Sequence, residues 1–334
     1  MKNFSLLKTT QQSKNILIIC HQRPDGDTFG TGLALYFLLE HLGKNVDIVA
    51  DSDLPLSYSF LEGFNLVNNQ KHKKYDASIF VDCGDKFRAG KFADYAQSTL
   101  SINIDHHKSN DYFAKHNVVV VTASSTCEVA YDLLLNDGVF NIDGTSDCSG
   151  SATKKTFPKE LLQKIASSLL VGLSTDTGHF MHSSVNQKVM LTAARLTELG
   201  ADIHTISNHI YRTKSKEKIA LLGYALSNLR YYNEDSICIL SLSLKDFEKF
   251  SLTSLSTEGF IDYPLSINSV QLAVTITQAE EELFKISFRS KGIDVSVIAA
   301  TFGGGGHIRA AGCAIKGVYE EVLDRVLGEV RKYL

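Results

Sequence analysis

Short, unbroken apolar segments alternate with helical segments through the first half of the chain. The apolar segments are residues 15–20, 46–50, 77–81, 100–104 and 118–121. The helical segments, in which apolar residues recur every three or four positions, are residues 30–42, 126–136, 158–173 and 186–199. Unbroken apolar runs of this length are typical of parallel strands buried on both faces of a sheet. The alternation predicts an α/β domain over residues 1–200, with a doubly wound, mostly parallel sheet.

The pattern changes after residue 200. Residues 203–229 are charged and have helical periodicity, which predicts one long helix within a linker over residues 201–229. Strand-like segments at 236–242, 270–277 and 284–288 come next, followed by helical segments at 294–300 and 318–333. They predict a smaller C-terminal α/β domain over residues 230–334, with a mixed or antiparallel sheet. Residues 143–156 are rich in Ser, Thr and Gly, which predicts a surface loop.

Acidic and histidine residues form four clusters, and we expect each of them to follow an apolar, strand-like segment. These clusters are His21/Asp25/Asp27, Asp82, Asp105-His106-His107 and Asp176. Because ligands of open α/β sheets bind beyond the carboxyl ends of the strands, we expect the clusters to meet at one site. Carboxylates and imidazoles at this density repel one another unless a cation lies among them. Oxygen and imidazole ligands without thiolates suit Mn²⁺ or Mg²⁺ better than a structural zinc ion.

Each cluster taken alone also has an ordinary structural explanation. Asp25 and Asp27 could cap the following helix, and an acid such as Asp82 or Asp85 could cap another. The triplet at 105–107 and the sequence Asp-Thr-Gly at 176–178 could be polar turns. The joint explanation, a pair of divalent cations, is favoured because the alternatives require four coincidences at one edge of one sheet.

A second motif, GGGGHIRAAG at residues 303–312, lies in the predicted C-terminal domain. Four successive glycines indicate a backbone that approaches a ligand closely, rather than one that is packed against protein. Arg309 offers a planar fork that matches a phosphate, and His307 can stack on a base or donate to a phosphate. The alternative is a flexible hinge with Arg309 in solvent. The small residues Ala310, Ala311 and Gly312 favour a packed element and so argue against the hinge.

The composition limits the possible partners. The formal net charge is −3 over 334 residues, so no global basic field attracts long nucleic acid or a membrane surface. Residues 1–14 lack an apolar signal core, and no apolar run reaches the 18 residues of a membrane span. The six cysteines form no CxxC pair, which favours a reduced, cytoplasmic protein with buried thiols.

Together these motifs resemble those of the DHH phosphoesterase superfamily, in the subgroup with a C-terminal DHH-associated domain. That subgroup comprises small bacterial enzymes that degrade very short oligoribonucleotides and dephosphorylate 3'-phosphoadenosine 5'-phosphate. The resemblance extends from His21 to Gly312. It implies a two-metal phosphodiesterase and phosphatase, commonly dimeric, with two Mn²⁺ ions for which Mg²⁺ or Co²⁺ could substitute.

The resemblance also implies a role for each site residue. The first ion would be held by His21 and Asp25, the second by Asp27, His106 and Asp176, and both by Asp82. Asp105 would orient His106 or His107, and His107 would contact the scissile phosphate. The substrate end would be bound by Gly303, Gly304, Gly305, Gly306, His307 and Arg309.

Other activities remain open at this point. A cyclic-di-AMP phosphodiesterase, or one acting on linear dinucleotides, would use the same site and the same glycine-rich motif. An inorganic pyrophosphatase would lack that motif, and a processive exonuclease would need further domains. An inactive nucleotide sensor would not need the complete set of metal ligands.

Overall fold

The computed structural model describes residues 4–140 and 157–334, and the chain divides into two compact units, Met1–Thr213 and Lys214–Leu334. The first unit contains the strands β1 (Asn15–Cys20), β2 (Asn45–Ala50), β3 (Ala77–Val81), β4 (Leu100–Asp105) and β5 (His116–Val119). They form one sheet in the order β2-β1-β3-β4-β5, and every pair is parallel. The predicted α/β class with a parallel N-terminal sheet is confirmed.

Strand β1 shows why the apolar segments are unbroken. Ile16 and Ile18 belong to the large core beneath the helices, whereas Leu17 and Ile19 belong to a second core on the opposite face. All four side chains are fully buried. Successive side chains of a strand point to opposite faces of the sheet. When both faces are covered, every position therefore favours an apolar residue.

The helices of this unit are α1 (Leu6–Thr9), α2 (Gly26–His41), α3 (Tyr95–Ser98), α4 (Thr126–Asn136), α5 (Lys159–Asp176), α6 (Gln187–Glu198) and α7 (Ile203–Ser207). Helices α2 and α5 approach unusually closely. A Cβ on Gly26 would lie 2.5 Å from the Thr175 side chain, and a Cβ on Gly172 would lie 2.8 Å from the Cα of Asp27. Only glycine permits this approach, which brings the start of α2 against the end of α5.

The prediction of one long helix over residues 203–229 is wrong. Helix α7 continues into a π-helical turn, Asn208–Arg212, and the chain is then extended at Thr213. Helix α8 (Lys216–Ser227) starts anew, with the Ser215 hydroxyl accepting a hydrogen bond from the Lys218 N–H at 3.1 Å. The boundary between the two units falls in this break. Helix α8 belongs to the second unit, where its Leu221 packs in a core with Phe247.

The second unit contains the strands β6 (Arg230–Tyr232), β7 (Ile237–Leu242), β8 (Leu272–Glu280), β9 (Leu283–Ser290), β10 (Gly305–His307) and β11 (Ala310–Lys316). Its other helices are α9 (Leu244–Lys249), α10 (Asp262–Ser266), α11 (Val295–Thr301) and α12 (Tyr319–Val330). The sheet order is β10-β11-β9-β8-β7-β6. Strands β7 and β8 are parallel and the other pairs antiparallel, so the sheet is mixed. An antiparallel β7–β8 pair is excluded because the helical connection through α9 and α10 returns the chain to the same end of the sheet.

Two further points bear on the sequence predictions. The predicted surface loop at residues 143–156 lies outside the described residues. No helix within residues 4–140 and 157–334 is both long enough and apolar enough to cross a membrane.

Candidate metal centre

Three neighbouring strands deliver most of the clustered polar residues to one edge of the parallel sheet. His21 follows β1 directly, Asp82 follows β3, and Asp105 is the last residue of β4. Asp176 is different, because it is the last residue of helix α5. The expectation that every cluster follows a strand is therefore wrong for Asp176. The close packing of α5 on α2 brings this carboxylate to the same edge.

One group of possible metal ligands consists of His21, Asp25 and Asp82. Their donor atoms all lie within 4.8 Å of one another, with His21 Nε2 3.3 Å from Asp82 Oδ2 and 3.7 Å from Asp25 Oδ1. His21 Nδ1 lies 2.8 Å from the carbonyl oxygen of Gln22, to which it donates its proton. Nε2 is then the nitrogen that a metal could bind, and this buried atom has no hydrogen-bond partner. An imidazole held by a backbone carbonyl, with its second nitrogen directed at carboxylates, fits a metal ligand.

A second group consists of Asp27, His106 and Asp176. His106 Nε2 lies 3.1 Å from Asp176 Oδ2 and 3.9 Å from Asp27 Oδ2, and the donors again fall within 4.8 Å. His106 Nδ1 faces the carbonyl oxygen of Ala123 at 3.4 Å. The histidine of each group therefore directs its Nε2 at carboxylates and its Nδ1 at a main-chain oxygen.

Asp82 lies between the two groups. Its Oδ2 faces His21, and its Oδ1 lies 3.8 Å from His106 Nε2 and 3.4 Å from His107 Nδ1. Asp82 has a φ of 60°, in the left-handed region that few residues other than glycine and asparagine adopt at low cost. A strained backbone at a residue that faces two clusters is consistent with a functional constraint.

Asp105 contacts His107 rather than His106. Its Oδ1 lies 2.7 Å from His107 Nδ1, and its Oδ2 accepts a hydrogen bond from Asn110 Nδ2 at 2.5 Å. Asp105 is fully buried, and burial raises its pKa less than the bonds to His107 and Asn110 lower it, so it stays ionised. The pair thus holds the His107 ring in one orientation at the edge of the site.

The site carries more negative charge than its buried surroundings accept. Burial, with Asp176 and Asp82 nearby, raises the pKa of Asp27 well above its usual range. Burial likewise raises the pKa of Asp176 to about 6. Burial opposes the charged imidazoles, but the carboxylates outweigh it and raise the pKa of His21 to about 10 and that of His106 to about 11. Without a cation, the cluster therefore retains protons at neutral pH.

Metal uptake should therefore release protons. With pKa values raised to about 10 and about 11, His21 and His106 hold an additional proton at pH 7 in the absence of metal, and a ligand must lose its proton to coordinate. The affinity for Mn²⁺ should rise with pH, and should fall most steeply below about pH 6, where Asp176 also gains a proton. Isothermal titration calorimetry in two buffers with different ionisation enthalpies measures the protons released. Heats that do not depend on the buffer, or an affinity that does not depend on pH, would contradict this charge balance.

Asp25 can be both a helix cap and a metal ligand. Asp25 is the N-cap of α2, and its Oδ1 accepts hydrogen bonds from the N–H groups of Asp27 and Thr28 at 3.0 and 3.2 Å. The same side chain belongs to the His21 group. Asp85, not Asp82, caps the 3₁₀ turn that follows β3.

Several residues near the site were not singled out from the sequence. Thr126, the first residue of α4, donates to Asp82 Oδ1 at 2.9 Å. Arg88 lies close enough to Asp25 to help His21 hold the pKa of that carboxyl below its usual range, against the effect of burial. In the second unit, Arg289 lies opposite Ala310 in the β9–β11 pair, and burial lowers its pKa. Arg88 follows Asp82 closely in the sequence, which is an available indication, whereas Thr126 and Arg289 lie outside the motifs and had none.

The glycine-rich motif forms a β-hairpin. Strands β10 and β11 pair Gly306 with Ala311 and Gly305 with Gly312. A Cβ on Gly304 would lie 2.2 Å from the carbonyl oxygen of Gly312. A Cβ on Gly306 would lie 2.5 Å from the carbonyl oxygen of Ala310. The expectation that none of the glycines serves packing is therefore wrong for Gly304 and Gly306, although a Cβ on Gly305 would meet open space. Arg309 is exposed in the turn between the two strands.

A parallel α/β domain with two overlapping His–Asp groups at the carboxyl edge of its sheet has the donors of a divalent-metal site. Family models match the chain in two places: the DHH family, N-terminal domain, over residues 15–173, and the DHHA1 domain over residues 235–334. Together the two matches cover most of the sequence. The chain thus combines a DHH N-terminal domain with a C-terminal DHHA1 domain.

Known proteins resemble the chain over nearly its full length. The bifunctional oligoribonuclease and PAP phosphatase NrnA of Thermus thermophilus is 28% identical over 96% of this chain and 90% of its own. The cyclic-di-AMP phosphodiesterase GdpP of Bacillus subtilis is 23% identical over 98% of this chain and 49% of its own. The crystal structure of an exopolyphosphatase-related protein from Bacteroides fragilis has a TM-score of 0.86 at 27% identity, and covers 98% of this chain and 94% of that one.

Proposed function

We propose that this protein is a metal-dependent phosphoesterase that hydrolyses very short oligoribonucleotides and 3'-phosphoadenosine 5'-phosphate to mononucleotides. The observation that carries the proposal is the pair of overlapping ligand groups, His21/Asp25 and Asp27/His106/Asp176, which share the neighbourhood of Asp82. The similarity to NrnA over the whole length of the chain supports the substrate class.

Two divalent cations, Mn²⁺ with Mg²⁺ or Co²⁺ as substitutes, would be held by these residues. His21 and Asp25 would bind one, Asp27, His106 and Asp176 the other, and Asp82 both. The buried His21 Nε2, which has no hydrogen-bond partner, and the raised pKa of Asp27 fit this assignment, because a cation between these groups would offset their desolvation and mutual repulsion. When bound, such cations neutralise phosphoryl oxygens and acidify a water molecule for in-line attack on phosphorus.

His107 is the protein group that we assign to the reacting phosphate. Asp105 accepts a hydrogen bond from His107 Nδ1, which fixes the orientation of the ring. A protonated imidazole at this position would stabilise charge on a phosphoryl oxygen or protonate the leaving group. Asp105 would act through His107 and would itself stay ionised.

The glycine-rich hairpin is assigned to the substrate end that does not react. Arg309 would bind a phosphate through its planar fork, and His307 would contact the nucleotide. Gly303 and Gly305 leave open space beside the backbone, which suits close approach of a ligand. Arg289 in the neighbouring strand adds a second cation to this part of the sheet. The net charge of −3 favours short substrates over long strands, which basic stripes bind.

The second candidate function is hydrolysis of cyclic-di-AMP or of its linear product. It is favoured by the similarity to GdpP, although this chain spans about half the length of that relative. The same ligand groups and the same hairpin would serve both reactions. A cytoplasmic location and a homodimer are further parts of our proposal, which fractionation and size-exclusion chromatography with light scattering would test.

A turnover panel with Mn²⁺ tests the proposal. The substrates are a diribonucleotide, a five-residue oligoribonucleotide, 3'-phosphoadenosine 5'-phosphate, cyclic-di-AMP and linear diadenylate. We expect the diribonucleotide and 3'-phosphoadenosine 5'-phosphate to be turned over with the highest kcat/KM, and excess chelator to abolish activity. The fold should survive chelation, because the two cores on either face of the N-terminal sheet consist of apolar side chains and do not depend on a bound metal. Preference for cyclic-di-AMP would favour the second candidate, and full turnover in chelator would refute the metal assignment.

A further inference from the structure

The N-terminus of helix α4 contacts both candidate ligand groups. The N–H groups of Thr126 and Cys127 donate to the two carboxylate oxygens of Asp27, at 2.6 and 2.8 Å. The Thr126 hydroxyl donates to Asp82 Oδ1 at 2.9 Å. One helix end thus holds a carboxylate of the second group and the carboxylate that lies between the groups. None of these residues faces solvent, since Thr126, Asp27 and Asp82 are all buried.

Helix α4 is itself held firmly at this end. Ser125 caps it by accepting a hydrogen bond from the Glu128 N–H at 3.0 Å. Glu128 accepts bonds from both the N–H and the hydroxyl of Ser124 at 2.7 Å, and pairs with Lys188 Nζ at 2.8 Å. Glu128 is buried, so these bonds are shielded from water and fix the turn that precedes Thr126. The Thr126 hydroxyl is therefore presented from a rigid element.

The direction of the Thr126 hydrogen bond determines how Asp82 is oriented. A carboxylate only accepts, so the hydroxyl donates its proton to Oδ1. Oδ1 is the oxygen that faces His106 and His107, whereas Oδ2 faces His21. The neighbouring imidazoles of His21, His106 and His107, and the Asp25 carboxylate, would bind metal or substrate in the proposed function. Thr126 has no such role in that assignment, so its bond to Asp82 would stay available when metals are bound.

We propose that Thr126 is a positioning residue that sets the rotation of the Asp82 carboxylate, with Oδ1 directed at His106 and Oδ2 at His21, so that Asp82 would serve both ligand groups. The inference rests on the proposed metal-dependent function. Loss of the hydroxyl frees Oδ1 to rotate away from His106. The metal held by Asp27, His106 and Asp176 should then bind more weakly, while the metal held by His21 and Asp25 should be less affected.

Replacement of Thr126 by valine and by serine separates the hydroxyl from the methyl group. Thr126→Val keeps the shape of the side chain but removes the hydroxyl. Thr126→Ser keeps the hydroxyl but removes the methyl group. Both variants keep the backbone bonds to Asp27. We expect Thr126→Val to weaken one of two Mn²⁺ sites by about 10–100-fold, the usual effect of removing a partner that orients a ligand. Thr126→Ser should bind Mn²⁺ like the parent protein. Calorimetry and Mn²⁺ electron paramagnetic resonance measure the two affinities without reference to turnover.

Thr192 is a buried threonine in α6, a helix that supplies none of the proposed ligands, so Thr192→Val is the matched control. Melting temperatures in excess chelator report on the fold. Unchanged Mn²⁺ binding in Thr126→Val would overturn the proposal. So would equal weakening of both sites, or a loss that Thr126→Ser shares. If Thr126→Val does not fold, the pair Thr126→Ala and Thr126→Ser makes the same comparison. Normal Mn²⁺ binding without hydrolysis of short oligoribonucleotides would refute the proposed substrate and leave this inference intact.

Discussion

Asp82→Asn should reduce turnover more completely than His107→Ala does. The amide nitrogen cannot accept a metal, so at least one of the two ions loses a ligand and the net charge between them changes. His107→Ala should reduce kcat by about 10²–10⁴-fold, the usual range for one acid or one charge-stabilising contact. The reduction in kcat for Asp82→Asn should exceed that range, because loss of the Asp82 carboxylate disturbs both ligand groups. Single-turnover kinetics with a diribonucleotide and Mn²⁺ compare the two variants.

The Asp82→Asn substitution should not disturb the backbone conformation at residue 82. Asparagine adopts the left-handed conformation found at Asp82 as readily as aspartate does, so the main chain need not move. We therefore expect a normal circular dichroism spectrum and cooperative melting in chelator. Asp94→Asn removes an exposed carboxylate of the same unit and serves as the control. If Asp82→Asn retained a near-normal rate, the assignment of Asp82 to both metals would be wrong.

The N-terminal sheet could be predicted from the sequence because its strands are covered on both faces. Ile16 to Ile19 are all buried, so the segment has the unbroken apolar character that only such strands require. Strand ends then indicated where His21, Asp82 and Asp105 meet. Asp176 arrives by a different route, through the close packing of α5 on α2. The glycines that permit this packing, such as Gly172, look in the sequence like ordinary helix-weakening residues.

Features that depend on tertiary packing were harder to predict from the sequence. The periodicity at residues 203–229 continues across the break at Thr213, because both flanking helices have apolar faces that pack in different units. The contact of Thr126 with Asp82 joins positions 44 apart in the sequence. Sequence reasoning identified Thr126 only as the start of a helix, since Ser125 and Thr126 are common residues at helix starts. In the glycine-rich motif, conformational freedom and close strand packing both require glycine, so the sequence alone could not separate the two causes.

Arg309→Ala should reduce activity on nucleotides far more than activity on a small generic ester. The candidate metal ligands all lie in the first unit, whereas Arg309 lies in the hairpin turn of the second. Bis(p-nitrophenyl) phosphate requires only the metals, so its hydrolysis should hardly change. A nucleotide should lose a charge-assisted, bidentate contact worth roughly 1.5–3 kcal/mol, which corresponds to a loss on the order of 10–150-fold in kcat/KM.

The control for this comparison is Arg331→Ala, which removes an arginine that is exposed in the same unit but lies outside the hairpin. Because Arg309 is exposed and its guanidinium packs in no core, its removal should leave the melting temperature unchanged. Equal losses on both substrates would place Arg309 at the reacting phosphate or in folding, against the division of labour proposed for the two units. No loss on either substrate would favour the alternative that the glycine-rich motif is a hinge. Binding of the unreactive end of the nucleotide would then be assigned to another cation. Arg289, which lies opposite Ala310 in the β9–β11 pair, is the first candidate.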